Sequence, residues 1–221
     1  SRAARLICEK WSANYGYLPD AIVVEGPKAG GHLGFKKEQI EDEHYSLEHL
    51  IPEVVEVARS YAGQKNIPVI AAGGIATGED IARFMALGAS AVQMGSIFVP
   101  TEECDASVEF KKVYLNAHRE DIRIIQSPVG MPGRAFDGEF IRNVAEGKEK
   151  PRSCPFHCIK TCDYTKSPYC IIKALYNAAR GNMKKGYAFA GGNAYLSDRI
   201  RSVKEVIEKL KADFFLSKAL L

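Results

Sequence analysis

The chain of 221 residues has no apolar run long enough to cross a bilayer, and its opening Ser1-Arg2-Ala3-Ala4-Arg5 has no apolar core of a secretory signal. The expected compartment is therefore the cytoplasm, without a membrane partner. It also has no stripe of one charge: the net charge is +3, with acidic and basic residues interspersed, so nucleic acid is not expected as a partner. The six cysteines would suit a disulfide framework in a small secreted protein. In an intracellular chain of this size they are expected instead as thiols, metal ligands or buried fillers.

What the chain has is an alternation of apolar runs and amphipathic stretches. Leu6 to Ala13 reads as the end of a helix stopped near Gly16, and Ala21-Ile22-Val23-Val24 comes next as a fully buried strand between Pro19-Asp20 and Gly26-Pro27. Pro52 to Tyr61 carries Val54, Val55, Val57 and Ala58 at helical spacing, with Gly63 closing the helix before the strand Pro68 to Ala72. Gly78-Glu79-Asp80 opens a helix with Ile81, Phe84, Met85 and Leu87 on its apolar face, ending at Gly88. A third strand runs from Ala89 to Met94. Apolar strands separated by amphipathic helices imply a parallel sheet covered on its outer side.

Two of these strands run into glycine-rich turns, Ala71-Ala72-Gly73-Gly74-Ile75 and Gln93-Met94-Gly95-Ser96. Glycine lets backbone amides approach an anion closely, and a helix starting just beyond adds its positive end. In a (β/α)8 barrel the loops after the last two strands form such a phosphate site. The fold class expected is therefore α/β: the C-terminal portion of a TIM (β/α)8 barrel, strands six to eight, plus a helical, cysteine-containing C-terminal extension. The expected division is a partial barrel over 1–135 and an extension packing on it over 136–221. A missing N-terminal segment and a homo-oligomer both stay open.

Val24-Glu25-Gly26-Pro27-Lys28-Ala29-Gly30-Gly31-His32-Leu33-Gly34, then Pro68 to Ile75, then Gly88 to Ser96 resemble in order the nitronate monooxygenase (2-nitropropane dioxygenase) family. The resemblance runs from about Ala21 to Arg134, and Gln126 to Ala135 is similar to the segment after the barrel in this group. FMN-dependent enoyl-acyl-carrier-protein reductases share the Ala29-Gly30-Gly31-His32 element. The resemblance implies FMN, with its phosphate at Gly73, Gly74, Gln93, Met94, Gly95 and Ser96 and its ring near Gly30, Gly31 and His32. A side chain at either Gly30 or Gly31 would meet the flat ring or displace the backbone; taken alone, the pair is a tight turn.

His32 is the expected catalytic residue, because an imidazole titrates near neutrality and can take a proton from an acidic carbon. By resemblance it is the base, or the donor that holds an anionic nitronate, in an FMN-dependent oxidation of alkyl nitronates by oxygen to a carbonyl compound and nitrite. The alternatives are an FMN- and NAD(P)H-dependent enoyl-acyl-carrier-protein reductase, or a non-catalytic metal-binding fragment. The expected partner is a small-molecule substrate. His44, His49 and His118 receive no role, Glu25 reads as structural and Lys28 as a solvated loop residue.

The tail departs from the compact family pattern after about Pro151. Cys154, Cys158 and Cys162 are four apart, so on a helix they form a stripe, with Cys170 after Ser167-Pro168 and His157 alongside. Zinc, an iron–sulfur cluster and buried thiols all remain open for them; no metal ligand is assigned. Gly186 to Tyr195 reads either as a cap over the barrel mouth or as a packed turn. Arg199 to Lys211, with Ile200, Val203, Val206, Ile207 and Leu210, reads as an amphipathic helix that docks on the domain.

Overall fold

The computed structural model describes residues 1–158, 160 and 162–219. In chain order the elements are α1 (Arg2–Tyr15), β1 (Ile22–Glu25), β2 (Gly31–His32), α2 (Leu47–Arg59), β3 (Val69–Ala72), α3 (Gly78–Ala86), β4 (Ala91–Gln93), α4 (Val108–Leu115), β5 (Ile122–Gln126), β6 (Pro132–Phe136), α5 (Glu139–Ala145), α6 (Ile171–Ala179) and α7 (Val203–Lys218). They fall into two compact units: Ser1–Ala29, Lys37–Met94 and the chain from Lys204; and Gly30–Lys36 with Gly95–Val203. The units cut the chain elsewhere than at residue 135, which lies inside β6 and is paired there with Arg123 of β5.

The first unit holds the expected parallel sheet, in the order β1-β3-β4, with Ile22 opposite Val69 and Ala72 opposite Gln93. Its core joins Ile22, Val24, Val69, Ala71 and Val92 to Leu47, Ile51, Val54 and Val55 of α2 and Phe84 of α3. The apolar run Ala21 to Val24 predicts burial on both faces; instead burial alternates along β1 and Val23 is 50% exposed, because the helices cover one face only. α2 begins at Leu47, ahead of the expected Pro52, since Leu47 and Ile51 complete its buried stripe. Pro52 is accommodated in the helix at the cost of one backbone donor. α1 ends as expected at Gly16, in the left-handed conformation with φ 70°.

α3 starts with a capping box: Thr77 accepts from the Asp80 amide at 3.1 Å, and the Asp80 carboxylate accepts from Thr77 N at 3.1 Å and Ala76 N at 2.9 Å. Its first residue, Gly78, is where α7 crosses. A Cβ there would lie 2.3 Å from Phe214 N and 2.4 Å from Leu210 O, so the crossing requires glycine. α7 extends past the expected helix to Lys218 and buries Leu210, while Ile207 is 37% exposed.

The second unit contains strands that apolar periodicity does not mark: an antiparallel sheet ordered β2-β6-β5. Ile122 pairs with Phe136, and His32 with Gly133. Gly186 to Tyr195 is packed rather than open: Tyr187, Ala188, Ala190 and Ala194 are buried, Ala190 N donates to Arg134 O, and Phe136 N donates to Ala188 O. Among the described residues no helix lines up Cys154, Cys158 and Cys162 as a stripe. Their stretch, 151–170, forms turns and bends among its described residues, with no helix there before α6. Among the described residues no helix is long and apolar enough to cross a membrane.

The α3–α7 crossing predicts that Gly78→Ala costs about 1–3 kcal/mol of stability, read as a lower urea midpoint. Gly63→Ala, whose added Cβ meets nothing within 4 Å, should stay within about 0.5 kcal/mol of the parent.

Candidate functional site

In the first unit β3 and β4 are hydrogen-bonded neighbours, so Gly73-Gly74 and Gln93-Met94 leave the sheet side by side at its carboxyl edge. Gly73 and Gly74 take φ of 97° and 78°, a backbone that L side chains rarely adopt. Added Cβ atoms would lie 3.0 Å from Ala29 N and 2.7 Å from Lys28 Cβ respectively, so the loop after β1 seats this turn. The positive end of α3 was expected to help hold an anion. The Asp80 carboxylate already occupies it. Gln93 is exposed, whereas the Met94 side chain packs against the core and offers only its main chain outward.

In the second unit Gly30 and Ser96 meet at Gly191. A Cβ on Gly30 would lie 2.6 Å from Gly191 N and 2.7 Å from the Ala190 carbonyl carbon. The chain's own backbone therefore excludes a side chain at Gly30, one of the two expected reasons for glycine there. Gly31 is a glycine for its φ of 84°. The Ser96 hydroxyl accepts from Gly191 N at 3.0 Å and keeps its hydrogen to donate. Gly95 is different: its φ is −127° and a Cβ there meets nothing within 4 Å. Neither strain nor crowding within the chain calls for glycine at that position, so open space over the backbone remains for a ligand. The helix expected beyond this turn is a single 3-10 turn, Ser96–Phe98.

His32 sits on β2, half-buried, with Nε2 2.7 Å from the Ser127 hydroxyl and its ring set edge-on against Phe189 at 5.0 Å between centroids. Ser127 is 2% exposed and is held from behind, its amide donating to Met131 O at 3.0 Å. One imidazole nitrogen is thus committed to Ser127; Nδ1 has no partner among the described residues. A single committed nitrogen fixes the ring's orientation and leaves the other for proton transfer. Phe189 packs on Tyr187, whose hydroxyl accepts from that of Tyr169 at 3.2 Å; burial pushes both phenols up from their ordinary range. Ser127 also lines a cavity of about 750 Å³, walled by Ile124, Ile125, Ile141 and Val144 with Arg123 and Arg142 among its polar lining.

Sequence patterns do not single out Ser127, Phe189 or Gly191. Ser127 lies within the Gln126-to-Ala135 stretch and Gly191 within Gly186-to-Tyr195, but nothing in the spacing pairs either with residues 30–32. His49 pairs with Ser46 Oγ at 2.8 Å on the surface and His44 lies beside it. Glu25 ends β1 with its side chain accessible, yet neighbouring protein atoms partly desolvate it and push its carboxyl up.

The first unit, with glycine turns at the carboxyl edge of a parallel sheet, and the second, with a histidine whose Nδ1 has no partner among the described residues, are parts of an α/β protein. Comparison with known proteins narrows this class. The family model described as Nitronate monooxygenase matches residues 1–213, so the chain belongs to the nitronate monooxygenase family; the match extends well past the expected 21–134 and takes in the cysteine-bearing segment. A Staphylococcus aureus (strain Newman) protein described as "Probable nitronate monooxygenase" is 34% identical over 191 residues, 86% of this chain and 52% of its own length. The chain thus spans about half of such relatives. Among solved structures, FabK from Thermotoga maritima matches with a TM-score of 0.72 at 28% identity, over 98% of this chain and 60% of FabK. The nitroalkane oxidase from Streptomyces ansochromogenes matches with a TM-score of 0.66 at 25% identity, over 91% and 53%.

Contact with backbone makes Gly30→Ala a destabilising change of about 1–3 kcal/mol, whereas Gly34→Ala, with nothing within 4 Å, should leave stability unaltered. Because folding raises the Glu25 carboxyl, the folded state loses stability as pH rises through the carboxylate range. Glu25→Gln should therefore raise the melting temperature at neutral pH, and this gain should vanish below about pH 4.

Proposed function

We propose that the chain carries strands six to eight of an FMN-binding barrel and serves the oxidation of alkyl nitronates by oxygen to a carbonyl compound and nitrite. The observation that carries the reading is the His32–Ser127 pair, 2.7 Å apart, with His32 Nδ1 unpartnered among the described residues. Family membership supports the reaction class. The parallel order of β1, β3 and β4, with helices on one face and Val23 open on the other, supports the barrel assignment.

The residues fit FMN on the chain's own geometry. Gly73 and Gly74 hold the left-handed backbone of an anion-binding turn, and Gly95 has the open space over its backbone that a ligand would fill. Gly73, Gly74, Gln93 and Met94 would offer main-chain donors to the phosphate, as would Gly95, while Ser96 donates its hydroxyl hydrogen. Gly30 and Gly31 set the approach to His32. FMN supplies the electron-accepting chemistry when bound. Where the substrate arrives as the neutral nitroalkane, His32 takes the proton from the carbon next to the nitro group at Nδ1 and so yields the nitronate; where it arrives as the nitronate, His32, protonated, donates to the nitronate oxygens. Ser127 holds the ring at Nε2 so that Nδ1 keeps its direction. Phe189 and the packed Gly186-to-Tyr195 segment exclude water from one side of the imidazole.

The test uses the purified chain mixed with FMN, desalted, and supplied with an alkyl nitronate while oxygen and nitrite are monitored. A retained flavin spectrum, nitrite release without nicotinamide, and a loss of about 10²–10⁴-fold in rate for His32→Ala with flavin retained are expected. Gly95→Ala should weaken FMN binding about tenfold without lowering the melting temperature. Undiminished turnover in His32→Ala would remove the residue from the chemistry. NAD(P)H consumption with an enoyl thioester, and none of oxygen with a nitronate, would favour the reductase reading instead.

A further inference from the structure

Arg123, Ile125 and Ser127 follow one another at every second position along β5 and just past its end, so they share one face of the antiparallel sheet, and all three line the cavity of about 750 Å³. α5 adds Ile141, Arg142 and Val144 to the same wall. Ile125, Ile141 and Val144 are only half-buried: they pack against the core of Ala135, Phe140 and Tyr187 and leave apolar surface on the cavity. The volume falls within the range of small-molecule sites. His32 bonds to Ser127 but is not among the residues that line this space.

The cavity is polar at one end. Arg123 and Arg142 are exposed and share a single carboxylate, with Arg123 Nε 3.1 Å and Arg142 Nη1 3.9 Å from the same Asp137 Oδ2. Two guanidiniums against one carboxylate leave a net positive charge there. Asp163 and Lys166, which also line the cavity, pair with each other at 3.3 Å and cancel. At the other end Ser127 is buried, and four residues of extended chain place it about 13 Å from Arg123 along the strand. An apolar channel with a cationic end suits a ligand that has an alkyl chain and one anionic head, and a guanidinium fork matches a carboxylate. We propose that this cavity binds a free alkyl carboxylate of about ten carbons, the length that spans it, with the head at Arg123 and Arg142 and the chain along Ile125, Ile141 and Val144 toward Ser127. The site is independent of the nitronate reading and holds or fails without it.

The full chain is titrated calorimetrically with decanoate below its micellar range, with decylamine and shorter carboxylates as comparisons. Saturable binding of about one decanoate per chain is expected, weakening about fourfold for each methylene removed and undetectable for decylamine. Arg142→Glu should weaken decanoate about tenfold at an unchanged melting temperature. Val144→Phe, which fills the cavity, should abolish binding. Hydrogen exchange should slow over residues 123–127 and 139–145 when decanoate is present and stay unchanged over 73–75 and 93–96. Absence of saturable binding, equal affinity for decylamine, undiminished binding in Arg142→Glu, or protection confined to other segments overturns the proposal. So does a dimer that covers 123–127 and 139–145 without decanoate, since a second copy of the chain would then be the occupant.

Discussion

The parallel ladder of β1, β3 and β4 is the constraint on which the first unit depends. Parallel strands deliver all their carboxyl ends to one edge, so the loops beyond them become neighbours whatever their sequence separation. The loop after β1 therefore lies under Gly73 and Gly74, with Ala29 N and Lys28 Cβ where glycine Cβ atoms would be, and Ala72 lies opposite Gln93. The glycines at this edge answer that crowding together with the left-handed backbone of the turn. On the opposite flank Gly78 meets the same kind of demand, since α7 approaches its backbone more closely than any side chain would permit.

The second unit is organised differently. β6 is central, pairing with β5 along its length, with β2 at Gly133 and Arg134, and bonding to Ala188 and Ala190 beyond. That arrangement carries His32 to Ser127, at the end of β5, and to Phe189, on the segment next to β6. A chain of ring contacts through Phe189, Tyr187 and Tyr169 then ties the histidine to the core around Phe140 and Ala135. The imidazole is held by packing on one side and by a buried hydroxyl on the other, which is how a side chain on a strand of only two residues acquires a fixed orientation.

The legible part of the fold is the part set by local rules. β1, β3 and β4 announce themselves as apolar runs, α3 by Gly78-Glu79-Asp80, and the end of α1 by Gly16. The antiparallel sheet is not legible, because β2 is two residues long and Pro132-Gly133 opens β6 with residues that rarely mark a strand. The partners of His32 are hidden for a related reason: residues 32 and 127 are brought together by strand pairing, which no spacing records. Gly30, Gly31, Gly73 and Gly74 are legible as special positions, yet what each is special for emerges only with the backbone angles and the neighbouring atoms. The cysteine stripe depends on a helix that the described residues of 151–170 do not form.

Hydrogen exchange with and without FMN, resolved along the chain by mass spectrometry, is the most direct test of the claim that the two glycine turns hold the cofactor's phosphate. The account predicts slowed exchange at residues 73–75 and 93–96 when FMN is added, with α1 and α5 unchanged. Protection confined to other segments, or exchange at both turns that FMN leaves untouched, would contradict it.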